Sequence, residues 1–581
     1  MPGVEWWDAQ KADNGVLGTP EEGDDVVDLT RLVAVATCWV LAAITAIPAS
    51  AAENSTQRLL RESMERVMFE GALNVGGVDL AADDLLLEFY TAREFHPAWA
   101  DRAKIEQLYP LADRAIAEGL DRTDYPFAAI EALLPDSGLP VDENARVALD
   151  ILATETFVRI AYQLRFGKLN PGRLFADWNF DRRIVMGASA AEVVQTAIDA
   201  PSITRHVAEV IPRGYLYAQL VAALERYRGF QAQDDWPVIP AGATLRQGEV
   251  GDRVELLRRR LAAEGDLAAG VSGEPEVFDS VLASAVSVFQ ARHGLDADAV
   301  VGSKTLQALN TPVEHRIDQL RASLERARWV FEDIQKTDDL ILVNIASAQT
   351  ALVRDHKIVW VTRSQVGKSY RQTPVFRGNL EYLVVNPTWT VPPGILRRDV
   401  LPRLKEDAVG YLASKEMDLL TMQGQVVDPA TVDWANLAGS FPYMVRQRPG
   451  PHNALGMIKF IFPNPQFIFL HDTPSRELFN RSARNFSSGC IRIEDPFKLA
   501  ELVMDNPEIW NSQTFDDVLA SRKTRVIHLD EPLAVYLMYW TAMALADGTV
   551  QFFDDVYGRD KVVLDGLRKP PMIDMPALAS D

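Results

Sequence analysis

The sequence predicts a multidomain α+β protein in which helical domains precede a mainly-β domain. From residue 53 to about residue 230, apolar residues recur at three- and four-residue spacing, which is typical of packed helices. From Asp339 onward, stretches rich in Val and Ile alternate between apolar and polar residues, which predicts strands. With 581 residues, the chain is also long enough for several domains.

The composition excludes several classes of protein. Hydrophobic residues make up 48% of the chain and charged residues 24%, which is ordinary for a globular protein. Acidic residues outnumber basic ones, 81 against 59, so the chain lacks an overall basic field and we expect no nucleic-acid partner. Two cysteines, Cys38 and Cys490, are too few for a disulfide framework or a cysteine-rich zinc site. No Walker loop or dinucleotide fingerprint occurs, and we expect no cofactor and no metal.

Residues 1–52 predict an export signal. Arg31 precedes an apolar run, residues 32–47, that is shorter than the roughly 20 residues of a membrane span. Pro48 ends this run, and the small residues that follow (ASA) are typical of a signal-peptidase site. The 30 residues before Arg31 carry eight acidic residues and one lysine where a signal peptide is basic, so we interpret them as an extension upstream of the true start codon. A cleaved signal and an uncleaved anchor both stay open, and either carries the rest of the chain across a membrane.

The next two predicted domains are helical. Residues 53–240 predict a large helical domain that ends in a linker rich in Pro, Gly and polar residues (QAQDDWPVIPAGA). Residues 241–312 predict a small unit of three helices. The second of these helices presents apolar residues at helical spacing, namely Leu282, Ala285, Val286 and Phe289.

The strands belong to the C-terminal half of the chain. A charged connector helix is predicted at residues 313–338, and a mainly-β domain at residues 339–530. Within that domain, residues 396–443 turn helical and polar, which indicates an insertion into the sheet. Residues 531–581 predict the last strands and a loose tail.

His471 and Cys490 are the candidate catalytic pair. His471 ends an apolar strand, and Cys490 follows Ser487, Ser488 and Gly489. A thiol is mostly protonated at neutral pH, and a neighbouring imidazole can take its proton and release the nucleophilic thiolate. Gly489 lets a substrate carbonyl approach closely because it has no Cβ, and the amides of Gly489 and Cys490 can donate to a developing oxyanion.

The three-helix unit carries the first family resemblance. Its segments LRQGEVGDRVELLRRRL, FDSVLASAVSVFQARHGL and VVGSKTLQALN are similar to the peptidoglycan-binding domain type 1 family. The family often has Asp-Gly where this chain has Asp298 and Ala299, which is a minor departure. The resemblance implies that this unit binds peptidoglycan through its glycan or its stem peptides.

The segment from His471 to Cys490 carries the second resemblance. It resembles the active-site pattern of the L,D-transpeptidases with a YkuD-type catalytic domain: a His, about fourteen to seventeen intervening residues, then Ser/Thr-x-Gly-Cys and an apolar residue. Here fifteen residues, 472–486, separate His471 from Ser487. Ser488 stands where many members have His, and Arg492 stands where many have Asn.

The departures themselves resemble one branch of that family. The Ser-Ser-Gly-Cys-Ile-Arg version, residues 371–395 (RQTPVFRGNLEYLVVNPTWTVPPGI) and residues 448–464 (RPGPHNALGMIKFIFPN) are similar to the large Gram-negative branch. That branch has a helical scaffold domain, a peptidoglycan-binding domain and a lid inserted in the catalytic sheet. The resemblance therefore implies that residues 53–240 form the scaffold domain and residues 396–443 the lid, and that the protein is periplasmic.

The resemblance also implies a reaction. Cys490 would attack the carbonyl of the third stem residue, with His471 as general base and then as general acid for the departing D-alanine. Transfer of the acyl group to the side-chain amine of another stem would give a 3→3 cross-link. Penems and carbapenems would acylate the same thiol. The implied partners are peptidoglycan stem peptides and glycan, and the need for other cell-wall synthases stays open.

Further residues receive roles from the resemblance. Gly489, Ser488 and Ser487 would form the active-site loop around the oxyanion. Arg492 would orient this loop or bind a substrate carboxylate through its planar fork. The two remaining predictions, both walls of the acyl-donor site, are Trp389 and Asn386.

Three other interpretations concern the same residues. An L,D-carboxypeptidase or endopeptidase needs the same Cys490 and His471, so the sequence does not separate it from a transpeptidase. A non-catalytic wall-binding scaffold is disfavoured because a vestigial site would have lost one of these two residues. Zinc bound by His452, His471 and Cys490 is disfavoured because no HExxH-like spacing occurs.

Overall fold

The computed structural model describes residues 54–574, apart from 71–72, 181–188, 212–213, 234–235, 269–272 and 435–440. The predicted extension and export signal, residues 1–52, lie outside the described residues. Within the described ranges, no helix combines the length and the apolar composition that a bilayer crossing requires.

The N-terminal region is helical around one long central helix. Its elements are α1 (Ser55–Glu70), β1 (Asn74–Val75), β2 (Val78–Asp79), α2 (Asp83–Ala92), α3 (Arg102–Glu106), α4 (Leu108–Ala117), α5 (Phe127–Leu133), α6 (Glu143–Phe166), α7 (Pro171–Leu174), α8 (Ala190–Asp199), α9 (Ile203–Val210) and α10 (Tyr215–Gln233). Helix α6 is buried on most of its surface, including the carboxylate of Asp150. That carboxylate accepts hydrogen bonds from the amides of Ala98 and Trp99 and from the Tyr90 hydroxyl, which satisfies a polar group that burial would otherwise penalise.

Three short helices then form a small unit with its own core. They are α11 (Asp252–Glu264), α12 (Ser280–Arg292) and α13 (Ser303–Leu309). The core contains the apolar faces expected from the helical spacing, Val254, Leu257, Leu261, Leu282, Val286 and Phe289. The following helix, α14 (Val313–Gln335), was predicted as a connector, yet it is packed on several sides. Its residue Arg326 donates to Asp560 near the C-terminus, and both side chains are buried.

A closed β-barrel follows α14. Its strands are β3 (Leu340–Asn344), β4 (Gln349–Arg354), β5 (Lys357–Gln365), β6 (Phe376–Val385), β11 (Ile458–Ile461), β12 (Leu470–His471), β13 (Ile491–Ile493) and β14 (Arg525–Met538). The order around the barrel is β11-β12-β13-β5-β4-β3-β14-β6. Neighbouring strands are antiparallel except for β12 with β13 and β14 with β3. Each strand pairs with two neighbours, so the barrel has no free edge, and its inward-facing residues belong to one apolar core.

The barrel corrects one predicted boundary. The prediction ended the β domain at residue 530, within β14. In the structure, residues 534–538 of this strand pair with β3, and residues 533–537 pair with β6. Strand β14 is therefore an integral barrel strand, because without its second half the barrel would open between β3 and β6.

An insertion, residues 389–447, separates β6 from β11. It contains β7 (Trp389–Thr390), α15 (Pro393–Ile395), a π-helical turn (Leu396–Val400), α16 (Leu401–Ser414), β8 (Met417–Thr421), β9 (Val426–Val427) and β10 (Tyr443–Gln447). These strands form a four-stranded sheet in the order β7-β10-β8-β9. The insertion has its own small core, so it is a folded unit with a sheet as well as the predicted helix.

The remaining elements cover the barrel from the C-terminal side. They are α17 (Pro496–Met504), α18 (Ser512–Ala520), β15 (Ala542–Ala544), β16 (Val550–Phe552) and α19 (Arg559–Leu567). Strands β15 and β16 pair with each other, and their side chains pack in the core that α10 and α14 share. The structure thus confirms the predicted multidomain α+β architecture.

Candidate active site

Three adjacent barrel strands position the candidate site. Strands β12 and β13 pair in parallel, and this pairing sets His471 opposite Arg492. Strand β11 pairs antiparallel with β12 and sets Lys459 opposite His471. Successive side chains of a strand point to opposite faces of the sheet. Leu470 and Ile491 are fully buried in the barrel core, so Lys459, His471 and Arg492 lie side by side on the outer face.

Cys490 lies on that same outer face. It directly precedes β13, and the amide of the next residue, Ile491, donates to the Phe469 carbonyl at 3.0 Å. Phe469 and Cys490 thus stand one step along the strands from the row formed by His471 and Arg492. The structure therefore brings together the two residues predicted as nucleophile and base, although nineteen positions (490 minus 471) separate them in the chain.

His471 is held as a neutral base. Its ring is buried, and Nδ1 lies 2.5 Å from the carbonyl oxygen of Asp472. A carbonyl only accepts, so Nδ1 carries the proton and Nε2 is left with a lone pair. Burial, and after it the charge of Arg492, lower the pKa of His471 to about 3. The imidazole is therefore neutral near pH 7 and able to accept a proton.

Cys490 is a half-buried free thiol. Its Sγ donates weakly to the carbonyl of Phe467, at 3.7 Å. Burial raises the pKa of this thiol, and a backbone hydrogen bond from Phe469 and the charges of Arg492 and Lys459 oppose that rise. The resting pair is thus a neutral thiol and a neutral imidazole, and the proton has to move when the sulfur attacks.

Gly489 has the conformation that its position requires. Its φ of +120° lies in the region that favours glycine, and a Cβ there would meet Ile468 Cδ1 at 3.2 Å. Its amide donates to the Ser487 hydroxyl at 3.1 Å, and its carbonyl accepts from Thr373 Oγ1 at 2.7 Å. This corrects the expectation that the Gly489 amide is available to an oxyanion. The Cys490 amide forms no hydrogen bond within the described residues and is the donor that remains.

The two serines of the loop have different roles. Ser487 is buried, and its hydroxyl donates to the Cys490 carbonyl at 2.6 Å, which fixes the turn before the cysteine. Ser488 is exposed, and its hydroxyl accepts from Arg371 at 2.9 Å. Arg371 also pairs with Asp399 of the insertion, at 2.8 Å. The active-site loop is therefore linked to the insertion through one arginine.

Arg492 has one clear hydrogen-bond partner. Its Nη1 donates to Gln365 Oε1 at 3.1 Å, on the neighbouring strand β5. Its Nε is buried and has no partner within the described residues. Burial lowers the pKa of this guanidinium, but the group stays charged at neutral pH. Arg492 thus supplies a fixed positive charge beside His471 and Cys490.

The two predicted walls of the acyl-donor site differ in the structure. Trp389 is half-buried in β7 of the insertion, opposite Gln447, and packs at the edge of the insertion core. Asn386 is buried, and its amide nitrogen donates to the carbonyls of Val518, Leu519 and Lys523. A side chain enclosed in this way cannot touch a substrate. The prediction for Asn386 is wrong, and its role is to hold the C-terminal end of α18 and the residues just after it against the end of β6.

Sequence reasoning missed three residues near the site. Thr373 holds the Gly489 carbonyl, and Tyr557 donates to the Gly367 carbonyl at 2.6 Å beside it. Lys459 lies on the outer face of β11. A signal existed for Lys459, because it is the one charged residue in the apolar run MIKFIF. Thr373 and Tyr557 carry no such signal, since their partners are distant in sequence.

The arrangement of His, Cys, Asp and Glu side chains bears on metal binding. Across the described ranges, no three His, Cys, Asp or Glu side chains are grouped so that they could hold an ion. His452, once considered as a ligand, is exposed, whereas His471 is buried and committed to the Asp472 carbonyl. The arrangement instead suits acyl transfer, in which a thiol attacks a carbonyl and an adjacent imidazole moves the proton.

Three segments of the chain match protein-family models. Residues 84–224 match a model described as "Scaffold domain", and residues 250–309 match "Putative peptidoglycan binding domain". Residues 338–527, which include the barrel strands of the site, match "L,D-transpeptidase catalytic domain".

Individual proteins show similar matches. A Haemophilus influenzae protein named "Putative L,D-transpeptidase" is 39% identical over 223 residues, which is 38% of this chain and 45% of that protein. The chain thus spans less than half of that relative's length.

Two solved L,D-transpeptidase structures are also similar. The one from Xylanimonas cellulosilytica is 16% identical and covers 51% of this chain and 98% of its own, with a TM-score of 0.16. The one from Stackebrandtia nassauensis is 13% identical and covers 52% of this chain and 96% of its own, with a TM-score of 0.21. At these TM-scores, neither structure supports a conclusion about this chain.

Proposed function

The chain carries an L,D-transpeptidase catalytic domain, a peptidoglycan-binding domain and a scaffold domain, and on this premise we propose that it cross-links peptidoglycan. The proposed reaction joins two stem peptides by a 3→3 cross-link through an acyl-enzyme on Cys490. The family match and the named relative support L,D-transpeptidase activity. The observation that carries the finer proposal is the parallel pairing of β12 with β13, which sets a neutral His471 beside the thiol.

The first half of the reaction forms the acyl-enzyme. The Cys490 sulfur bonds to the carbonyl carbon of the third stem residue, and its proton passes to Nε2 of His471. The oxygen of the tetrahedral intermediate accepts from the Cys490 amide, the donor left without a partner. His471 then gives the proton to the nitrogen of the departing D-alanine as the carbon–nitrogen bond breaks.

The second half transfers the acyl group. The side-chain amine of another stem attacks the thioester, and His471 accepts a proton from that amine. The carbon–sulfur bond breaks, and the sulfur takes from His471 the proton that came from the amine. Water attacking in place of the amine would give hydrolysis, so the balance between the two depends on how well the insertion excludes water. The bond from Arg371 to Ser488 and Asp399 supports the insertion as the cover of the site.

The other parts of the chain fit the same proposal. The three-helix unit supports peptidoglycan as the partner of the protein. The expected export signal in residues 1–52 supports action in the periplasm, where stem peptides are accessible. An acylated Cys490 is also the proposed product with penems and carbapenems, because a thiolate opens such rings as it attacks other activated carbonyls.

The test uses purified protein and a disaccharide-tetrapeptide, with products identified by mass spectrometry. The variants are Cys490→Ala and, as a matched control, Cys38→Ala, which removes the other cysteine of the chain. We expect a cross-linked dimer that has lost one D-alanine with wild type and with Cys38→Ala, and no product with Cys490→Ala.

Other outcomes have definite meanings. Tripeptide without dimer would replace the transpeptidase by an L,D-carboxypeptidase on the same residues. Turnover that survives in Cys490→Ala would overturn the whole assignment of the nucleophile. An intact-mass shift on trapping with a carbapenem, absent in Cys490→Ala, would locate the acyl-enzyme independently of any acceptor.

A further inference from the structure

Lys459 lies beside the proposed catalytic pair, and the proposed acyl-transfer steps give it no role. It pairs with His471 across β11 and β12, and His471 pairs with Arg492 across β12 and β13. These three side chains form a first row on the outer face of the barrel. Phe469 and Cys490 form a second row, one step along the strands.

The Lys459 side chain leans from the first row toward the second. Its Nζ lies 5.8 Å from the centroid of the Phe469 ring, which stands two residues before His471 on the same face. Cys490 is the next side chain beyond Phe469 in that row. The ammonium group thus lies over the ring that stands next to Cys490 on this face, where the aromatic ring supports its charge and the charge acts on the sulfur.

The charge of Lys459 has no acidic partner within the described residues. Its side chain is half-buried, and the neighbouring charge that acts on it is that of Cys490. The carboxylates of Asp472, next to His471, and of Asp399, in the insertion, are engaged by other groups. Asp472 accepts from the Met457 amide and pairs with Arg476, and Asp399 pairs with Arg371.

We propose that Lys459 stabilises the thiolate of Cys490 during acyl transfer, as an electrostatic partner that the half-buried site holds ready. The inference rests on the proposed role of Cys490 as nucleophile. An ammonium is a compact point charge on a flexible stem, so it can follow the sulfur as the negative charge develops. Arg492 is less free, because its Nη1 is bonded to Gln365.

The same charge serves the second proton transfer. Lys459 and Arg492 both face His471, and both disfavour its protonated form. An imidazolium that forms between two cations is a stronger acid, so it gives its proton more readily to the departing amine. A single lysine thereby stabilises the thiolate before attack and raises the acidity of the imidazolium after it.

The test measures the reactivity of the thiol without any substrate. Full-length protein carrying Cys38→Ala has Cys490 as its single cysteine. Its alkylation by iodoacetamide is followed from pH 6 to 10, and the pH of half-maximal rate is compared among variants. We expect Lys459→Met to move that midpoint upward by about one unit, equivalent to a roughly tenfold slower reaction at pH 7.

The controls separate charge from packing. Lys459→Arg keeps the charge and should stay close to wild type, whereas Lys459→Gln should behave like Lys459→Met. Lys498→Met removes an exposed lysine of α17 that pairs with Glu501, and it should change nothing. Circular dichroism and the melting temperature check that each variant is folded.

The result that overturns the proposal is a wild-type pH midpoint in folded Lys459→Met and Lys459→Gln. If both neutral variants fail to fold, a shifted midpoint in folded Lys459→Arg would also overturn it, since that variant retains the charge. Because alkylation needs no peptidoglycan, these outcomes are independent of whether the protein cross-links stems. Loss of cross-linking with an unchanged midpoint would count against Lys459 as a partner of the thiolate.

Discussion

Two regions of the molecule bury charge, and they treat it in opposite ways. Between the three-helix unit and the rest of the chain, Glu264 is fully buried and lies 2.9 Å from both Arg260 and Arg292. Burial raises the pKa of Glu264, but the two arginines outweigh it and hold that pKa well below its usual range. On the outer face of β11–β13, Lys459 and Arg492 have no carboxylate partner within the described residues.

The presence of a carboxylate partner distinguishes the charges of the Glu264 cluster, which stabilise the fold, from those of Lys459 and Arg492, which we assign to the proposed reaction. A buried charge costs several kcal/mol unless an opposite charge compensates it, so the Glu264 cluster is complete as folded. The site is cationic and incomplete, and its resting thiol and imidazole are both neutral. In the proposed reaction, the anion that would complete it is the thiolate or the oxyanion.

The largest expected effect removes the base from the site. In His471→Gln, the acylation of Cys490 by a carbapenem should slow by about 10²–10⁴-fold at pH 7, because nothing else accepts the thiol proton. Stopped-flow or intact-mass kinetics would measure it. A loss smaller than about tenfold would mean that the thiolate forms without a base, and the contrast between the two regions would weaken.

Breaking the structural cluster should change stability and leave the thiol alone. Glu264→Gln removes the carboxylate that pairs with the buried Arg260 and leaves the buried Arg292 with Asp266 alone, so the free energy of unfolding should fall by about 3–5 kcal/mol. Urea unfolding followed by fluorescence measures this, with Glu249→Gln, an exposed glutamate of the same unit, as control. A fall in the free energy of unfolding of less than about 1 kcal/mol would show that water solvates the cluster, so that its charges are not buried as those of the site are.

The pH dependence of acylation sharpens the comparison. His471 has a pKa of about 3, so it stays neutral as the pH falls through 6.5 and the rate should show no break there. Because the pKa of Cys490 is raised, the fraction of thiolate grows only at alkaline pH. There the acylation rate should rise by up to about tenfold per pH unit. A carbapenem acylation profile from pH 5 to 10 would check both limbs. A clear break near pH 6.5 would mean that the imidazole is solvated.

The smallest effect concerns the link to the insertion. The Arg371–Asp399 pair is partly exposed, so Asp399→Asn should change stability by less than about 1 kcal/mol. We expect kcat/KM for cross-linking to fall by at most about fivefold, because Arg371 keeps its bond to Ser488. Steady-state assays would measure it, with Glu406→Gln on α16 as a matched surface control. A loss of a hundredfold would make this pair part of the site.

Much of the domain order could be predicted from the sequence. The change from helical to alternating spacing predicted helices first and strands later, because those periods follow from local geometry. The family matches confirm the resemblances drawn from the sequence. The pattern around Cys490 also located the candidate nucleophile and base, although their roles stay predictions until the variants are assayed.

What failed to emerge from the sequence depends on contacts between distant segments. Asn386 resembles a site residue in its motif, yet the C-terminal end of α18 encloses it. The Gly489 amide is taken by a hydroxyl whose orientation only the folded loop defines. Strand β14 extends past its predicted end because β3 and β6, more than a hundred residues earlier, both pair with it.

The helical and strand periods, the order of the domains and the identity of the residues that can do chemistry follow from the amino-acid sequence. Those properties are local, since they depend on spacing and on side-chain type. The tertiary structure alone decided that β11, β12 and β13 lie side by side and that Lys459, His471 and Cys490 share one outer face. The physical reason is the barrel, whose closure fixes which strands pair and in which register, and so which charges meet.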